Sequence, residues 1–213
     1  MKNTKHKLVG IILAIVLIPF LNSCDSNEIK DDQLSGFMLG GIYFIDGYGG
    51  MDRVAEILIT EEGRSTNKEL VEGYKVLLEF PFEPNQATDT QSYLREFWEI
   101  SDKASLLKKM EILKNSEYKY KAWDYTRSVN IACNGYSAGY LTKEEVIIFL
   151  KELLPLAREK YDTWEAYYAG YNDGLKDWDA QSEQVISFGK TTKEILSHEK
   201  SIYNLLPLHT ANK

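Results

Sequence analysis

Tetrads of the form hydroxyl-x-x-Glu, each leading into an apolar run, recur along this chain and commit it to helices. Thr66-Asn67-Lys68-Glu69, Thr142-Lys143-Glu144-Glu145 and Thr191-Thr192-Lys193-Glu194 each put a hydroxyl at N-cap and a glutamate at N3. The hydroxyl takes one free N–H of the first turn and the carboxylate takes another, so a helix starts there. Ser101-Asp102 ahead of Leu106, Leu107 and Met110, and Asp162 or Thr163 ahead of Trp164, read as further starts. The segments that follow are long and lack the alternation of a strand. Helices are expected over 35–45, 51–61, 67–79, 90–98, 102–114, 118–137, 143–160, 164–182 and 192–205. The fold class is all-α, a compact multi-helix bundle forming one domain over residues 34–208. Tyr74-Lys75-Val76-Leu77-Leu78 reads alternatively as a strand. Pro155 is expected to kink or split its helix, because it removes a backbone bond and clashes with the previous turn. Gly139 reads as a cap ahead of Thr142.

The segment over 164–182 has the clearest periodicity. Trp164, Tyr168, Tyr171, Leu175 and Trp178 recur at steps of four and three and share a face. Ala166, Gly170 and Gly174 fall four apart on a neighbouring face. A glycine inside a helix costs up to about 1 kcal/mol relative to alanine, so this small face implies close approach of another helix. A packed core is the favoured reading of the aromatic stripe, with a ligand groove as the alternative. Tyr125, Val129, Ala132 and Tyr136 repeat the pattern in the preceding segment, with Cys133 beside them.

The N-terminus carries different information. Lys2, Lys5 and Lys7 precede the uncharged apolar run Leu8 to Leu21, and Leu21-Asn22-Ser23-Cys24 closes it in the order of a lipoprotein export signal. The run is shorter than the ~20 residues that a spanning helix needs. Residues 1–23 are therefore expected to be a signal peptide and Cys24 the lipidation site, its thiolate taking the lipid. Two or three acyl chains on Cys24 would hold the protein firmly on a bilayer, since each buried CH₂ contributes ~0.8 kcal/mol. This places the chain in the bacterial cell envelope as a palmitate-bearing membrane lipoprotein, expected at the outer membrane. Residues 24–33, with Asp25, Glu28, Asp31 and Asp32, read as a polar tether too poor in apolar surface to order itself. Cleavage removes three lysines and no acid, taking the formal charge from −7 to −10. That balance argues against nucleic acid and against adsorption to anionic lipid, both of which need a basic face. After lipidation only Cys133 remains, so stability rests on packing without an intramolecular disulfide.

Several motifs in order resemble a family of bacterial proteins. Trp123-Asp124-Tyr125-Thr126-Arg127, then Asn134-Gly135-Tyr136-Ser137-Ala138-Gly139-Tyr140-Leu141, then Trp164-Glu165 with Tyr171, Gly174 and Trp178, look like the family catalogued as domain of unknown function 1266. Its pattern is a Trp-Asp-x-x-Arg helix, a Gly-Tyr-x-x-Gly-Tyr turn, an acidic helix start, and a Ser/Thr-Trp-Glu helix ending in Gly and Trp. Upstream, Phe97-Trp98-Glu99-Ile100-Ser101-Asp102 is similar to the family's Trp-Gly-Ile segment, with Glu99 in the glycine's place. The resemblance covers roughly residues 90 to 182 and implies no established activity. Its structural or binding positions here are Trp123, Asp124, Arg127, Tyr136, Gly139, Trp164, Glu165, Tyr171 and Trp178.

Asp124 and Arg127 stand at i, i+3, the spacing of a helical ion pair, and Trp123 lies four before Arg127, placed to stack on it. A brace between helices is the favoured role. Arg127, Asn130 and Asn134 continue a polar stripe, read as a solvated face, with a binding surface as the alternative. Gly135-Tyr136-Ser137-Ala138-Gly139 matches the nucleophile elbow G-x-S-x-G, and Asp173 and His198 follow in the order of a triad. The elbow requires a strand before the serine, whereas Trp123 to Asn134 reads as helix. His198, read as an exposed helix residue, lacks the second histidine of H-E-x-x-H, and no C-x-x-C is present; no cofactor, metal or catalytic residue is expected. The expected function is that of a non-catalytic protein-binding module, immunity-type or scaffolding. The alternative is a membrane-tethered serine hydrolase using Ser137.

Overall fold

The computed structural model describes residues 29–209; the signal peptide expected over residues 1–23, and Cys24, lie outside the described residues. Eleven α-helices and no strand form the described part. They are α1 (Asp32–Met38), α2 (Gly41–Gly47), α3 (Met51–Ala55), α4 (Asn67–Leu78), α5 (Ala87–Trp98), α6 (Lys103–Asn115), α7 (Lys121–Ser137), α8 (Lys143–Lys160), α9 (Trp164–Asp179), α10 (Glu183–Ser197) and α11 (Ile202–Leu205). A π-helical stretch, Glu56–Glu61, extends α3, and a 3-10 turn, Pro84–Gln86, leads into α5. One continuous hydrophobic core runs from Leu34 to Leu208. Its axis is α7, against which α5, α6, α8 and α9 all pack. No helix among the described residues is long and apolar enough to cross a membrane.

The local signals work as the sequence suggests at four starts. Thr66 and Glu69 close a capping box on α4, and Thr142 and Glu145 close one on α8. Asp102 caps α6, with Ser105 completing the box, and Thr163 accepts from Ala166 N–H at the head of α9. Tyr74–Leu78 is helical, inside α4. α8 runs unbroken through Pro155, which sits on the exposed face, where water can take the carbonyl left without a donor.

Elsewhere tertiary contacts override the local pattern. The helix expected over 35–45 breaks at Leu39-Gly40, between α1 and α2. A Cβ on Gly40 would lie 2.6 Å from Val129 of α7, and one on Gly41 would lie 2.2 Å from the Tyr203 hydroxyl. Tyrosines from distant segments serve the carbonyls freed by the break. The Tyr168 and Tyr203 hydroxyls reach the Met38 carbonyl at 2.7 and 2.8 Å, and Tyr167 donates to the Leu39 carbonyl at 3.0 Å. The helix start expected at Thr191 is absent. α10 begins at Ser182 instead, and Thr191 and Thr192 lie buried in its middle, where Thr191 donates to Asp46 at 2.9 Å. Phe188, upstream of them, packs on Tyr43 and Tyr171 and carries α10 back onto the core. The expected 192–205 helix is also interrupted, at His198–Ser201, where Ser201 caps α11. The last residues of the polar tether are folded: Asp31 caps α1 and pairs with Lys75 at 3.0 Å, and Gln33 donates to Glu79 at 2.7 Å.

Candidate functional site

α7 is covered on both flanks, with nearly all of its residues buried, and its polar residues are therefore enclosed. Arg127, Asn130 and Asn134 do not form the solvated face expected of them; both asparagines are buried because α5 covers that side. Asn134 donates to the Asn130 carbonyl at 2.8 Å, and Ser128 donates to the Tyr125 carbonyl at 2.8 Å. Lys121, also buried, points its ammonium at the end of α6 and donates to the carbonyls of Lys114 (3.0 Å) and Ser116 (2.8 Å). Burial holds its pKa below the usual lysine range, against the pull of Asp124.

The centre of the candidate site is Arg127. Its Nη2 lies 2.5 Å from the Asp124 carboxylate, which is buried and also accepts from the Ser116 hydroxyl. The guanidinium carbon sits 4.7 Å from the Trp123 ring centre and 5.9 Å from that of Trp98, so two indoles flank the charge. Trp123 in turn faces Tyr171 at 5.3 Å and Trp178 at 6.2 Å. Trp98 donates its indole N–H to the Tyr93 hydroxyl at 3.2 Å, and Tyr93 leans on Phe97 at 5.4 Å. A continuous path of aromatic contacts thus crosses α5, α7 and α9 with one cation in its middle. Its two ends stand in solvent, Phe97 at 72% and Trp178 at 60% exposure.

Among the described residues, Arg127 Nε is buried without a hydrogen-bond partner, whereas the Tyr171 hydroxyl faces that of Tyr43. Tyr43 of α2 meets the Tyr171 ring edge-on at 6.2 Å. Burial pushes the Tyr43 phenol up to about 12, against the opposing influence of the Tyr171 hydroxyl and the Arg127 charge. Burial likewise raises the Tyr171 phenol well above its ordinary value. These phenols are neutral donors at ordinary pH, not bases. The arrangement suits recognition of a planar or polar group against an aromatic face. Tyr43 and Tyr93 carry no local signal of their role, because only the packing of α2 and α5 on α7 and α9 brings them here.

The other sequence-marked residues lie apart. Tyr136 is about 20 Å along α7 from Trp123 at 1.5 Å per residue. There it packs against Phe80 at 4.9 Å, next to the turn in which Gly139 takes a φ of 77°. Trp164 is buried and donates to the Leu206 carbonyl at 2.7 Å, whereas Glu165 is exposed. Ser137 is the last residue of α7 and fully buried. Its hydroxyl donates to the Glu83 carbonyl at 2.8 Å and lies 3.0 Å from the Thr90 hydroxyl. The backbone entering it is helix, without the exposed strand-to-helix turn of an elbow. Asp173 is exposed on α9. His198 is no exposed helix residue: it is the half-buried C-cap of α10, its Nδ1 accepting from Lys200 N–H at 3.2 Å. Glu99 closes α5 in a left-handed conformation with φ of 57°, which explains a glycine at that place in the resembled pattern.

The resemblance is matched by comparison: residues 112–208 fit the family model described as a protein of unknown function, DUF1266. The match takes in Trp123, Asp124, Arg127, Tyr171 and Trp178 and runs on through α10 and α11, past residue 182. Residues 90–111, with Trp98 and Glu99, stand outside it. Neither the curated proteins nor the solved structures yielded a match.

Proposed function

We propose that this chain is a non-catalytic protein-binding module of the bacterial cell envelope, immunity-type or scaffolding, tethered to a membrane through acylated Cys24. One observation carries the binding part: the aromatic path from Phe97 to Trp178 with Arg127 at its centre. Tryptophan, tyrosine and arginine are the residue types that dominate binding energy at protein interfaces. Arg127 is already fixed by Asp124 and two indoles, so little side-chain freedom is lost when a partner covers it. The formal charge of −10 after cleavage (−7 less three lysines) favours a basic partner, because opposite charge speeds encounter.

A photo-reactive amino acid in place of Trp178 in intact cells tests this. The expected result is one protein adduct at 178, lost when Phe97→Ala is added, and none from the same probe at exposed Val76 on α4. Added salt should slow capture. The proposal fails if 178 captures nothing, if Phe97→Ala has no effect, or if a serine-reactive phosphonate labels Ser137. Metabolic labelling with palmitate, lost in Cys24→Ala, tests the tether separately.

A further inference from the structure

The described chain enters the domain at Ile29, a short way along from Cys24. Ile29 packs on the core and, with Lys30, lines a groove against Lys68, Val71 and Glu72 of α4. Just after it, Asp31 pairs with Lys75 at 3.0 Å and Gln33 donates to Glu79 at 2.7 Å, so the start of α1 is fastened along the same helix. Lys68, Glu72 and Val76 stand four apart and form an exposed stripe of α4 beside this entry, with Val76 its apolar member at 68% exposure. The charges here balance, although the chain as a whole is acidic. Asp31 is taken by Lys75 and Asp32 by Arg158, which leaves Lys30 and Lys68 against Glu72 and the half-buried Glu79.

We propose that this face, the start of α1 with the stripe Lys68, Glu72 and Val76 of α4, rests on the bilayer surface, with Val76 in the head-group layer. The placement rests on the acylated Cys24 proposed above and adds which side of the domain looks at lipid. Five residue steps lead from Cys24 to Ile29, a reach of at most about 18 Å when fully extended. Residues 29–209 make a body about 40 Å across, from a radius of gyration of about 16 Å. The side remote from Ile29 therefore cannot be drawn down to the lipid, whereas the entry face cannot leave it by more than that reach. A single valine adds little affinity of its own, but the tether makes its contact intramolecular, so even a weak contact forms. Local neutrality removes the repulsion that anionic head groups exert on the rest of this acidic surface. None of these residues belongs to the Arg127 locus.

The test uses the full acylated chain in phosphatidylethanolamine and phosphatidylglycerol vesicles that carry a lipid spin-labelled at its head group. A fluorophore is attached in turn to Val76→Cys on α4, Ile112→Cys on α6 and Ile186→Cys on α10; all three positions are exposed, and buried Cys133 takes no label. The spin label should quench the fluorophore at 76 about twofold or more beyond that at 112 and 186, because a residue in the interface lies within about 10 Å of the head groups. Palmitate on Cys24 is measured in the same preparation. With palmitate present, quenching at 76 no stronger than at 112 or 186 overturns the placement and leaves the tether standing. Without palmitate, the tether reading fails first and the placement falls with it.

Discussion

Replacing Gly174 by alanine puts a methyl group where the structure has no room for one. The new Cβ would lie 2.4 Å from Trp123 Cβ, 2.8 Å from its Cγ and 3.0 Å from Tyr120 Cβ. Carbon atoms rest about 3.5–4.0 Å apart, so α9 and α7 would have to separate by about 1 Å. Rotating the indole brings no relief, because the closest atom is fixed to the α7 backbone. Overpacking of this kind typically costs about 1–3 kcal/mol, and the better helix propensity of alanine returns about 1 kcal/mol. The net expectation is a loss of up to about 2 kcal/mol. At about 2–4 °C per kcal/mol for a chain of this length, the melting temperature should fall by up to about 8 °C. Gly189 in α10 is the control: a Cβ there meets nothing within 4 Å, so Gly189→Ala should gain up to about 1 kcal/mol and melt higher. Circular dichroism melts of both variants decide it. If Gly174→Ala also raises the melting temperature, the close approach of α7 and α9 is not what this glycine serves, and the placement of Trp123 against Tyr171 loses its explanation.

Glu99→Gly should stabilise the protein by about 0.5–1 kcal/mol, since it relieves a left-handed residue and loses part of that gain to unfolded-state freedom; a higher denaturant midpoint at unchanged slope is the readout. Alkaline titration followed at the phenolate absorbance should show few free tyrosines, then a cooperative rise. The unfolded phenols ionise near about 10, whereas burial holds folded Tyr43 and Tyr125 at about 12 and raises Tyr167 and Tyr168 well above the ordinary value. The unfolded chain binds fewer protons above about pH 10, so stability is whole below that pH and falls as pH climbs toward the folded values. A gradual titration with unchanged helicity would refute the buried tyrosine cluster. Cys133, buried with its thiol pushed up by desolvation, should resist thiol reagents until the chain unfolds; fast modification under native conditions would count against its placement in α7.

The features legible in the sequence are those whose causes lie within one or two turns. The starts of α4, α6, α8 and α9 follow from Thr66, Asp102, Thr142 and Thr163, each bonded to an N–H three residues ahead. Asp124 and Arg127 meet because helical spacing alone brings i and i+3 together. The small face of α9 likewise announces a close neighbour, although not which helix supplies it. By contrast, Thr191-Thr192-Lys193-Glu194 has the same form as the working boxes and starts nothing. Its hydroxyls find Asp46 and Asn172, and nothing in the tetrad itself distinguishes those acceptors from its own backbone.

The amino-acid sequence by itself determined that this chain is helical, where most of its helices begin, and that an arginine, an aspartate and an indole share one face of α7. Hydrogen bonds that span a single turn need no other part of the molecule. The tertiary structure alone decided that α1 and α2 separate at Gly40, that the asparagines of α7 are enclosed, and that Tyr43, Tyr93 and Trp98 join Trp123 around Arg127. Those outcomes depend on groups far apart in the chain, as when the hydroxyl of Tyr203 reaches the carbonyl of Met38 across 165 residues. The free energy that favours such a contact exists only once the helices between have packed.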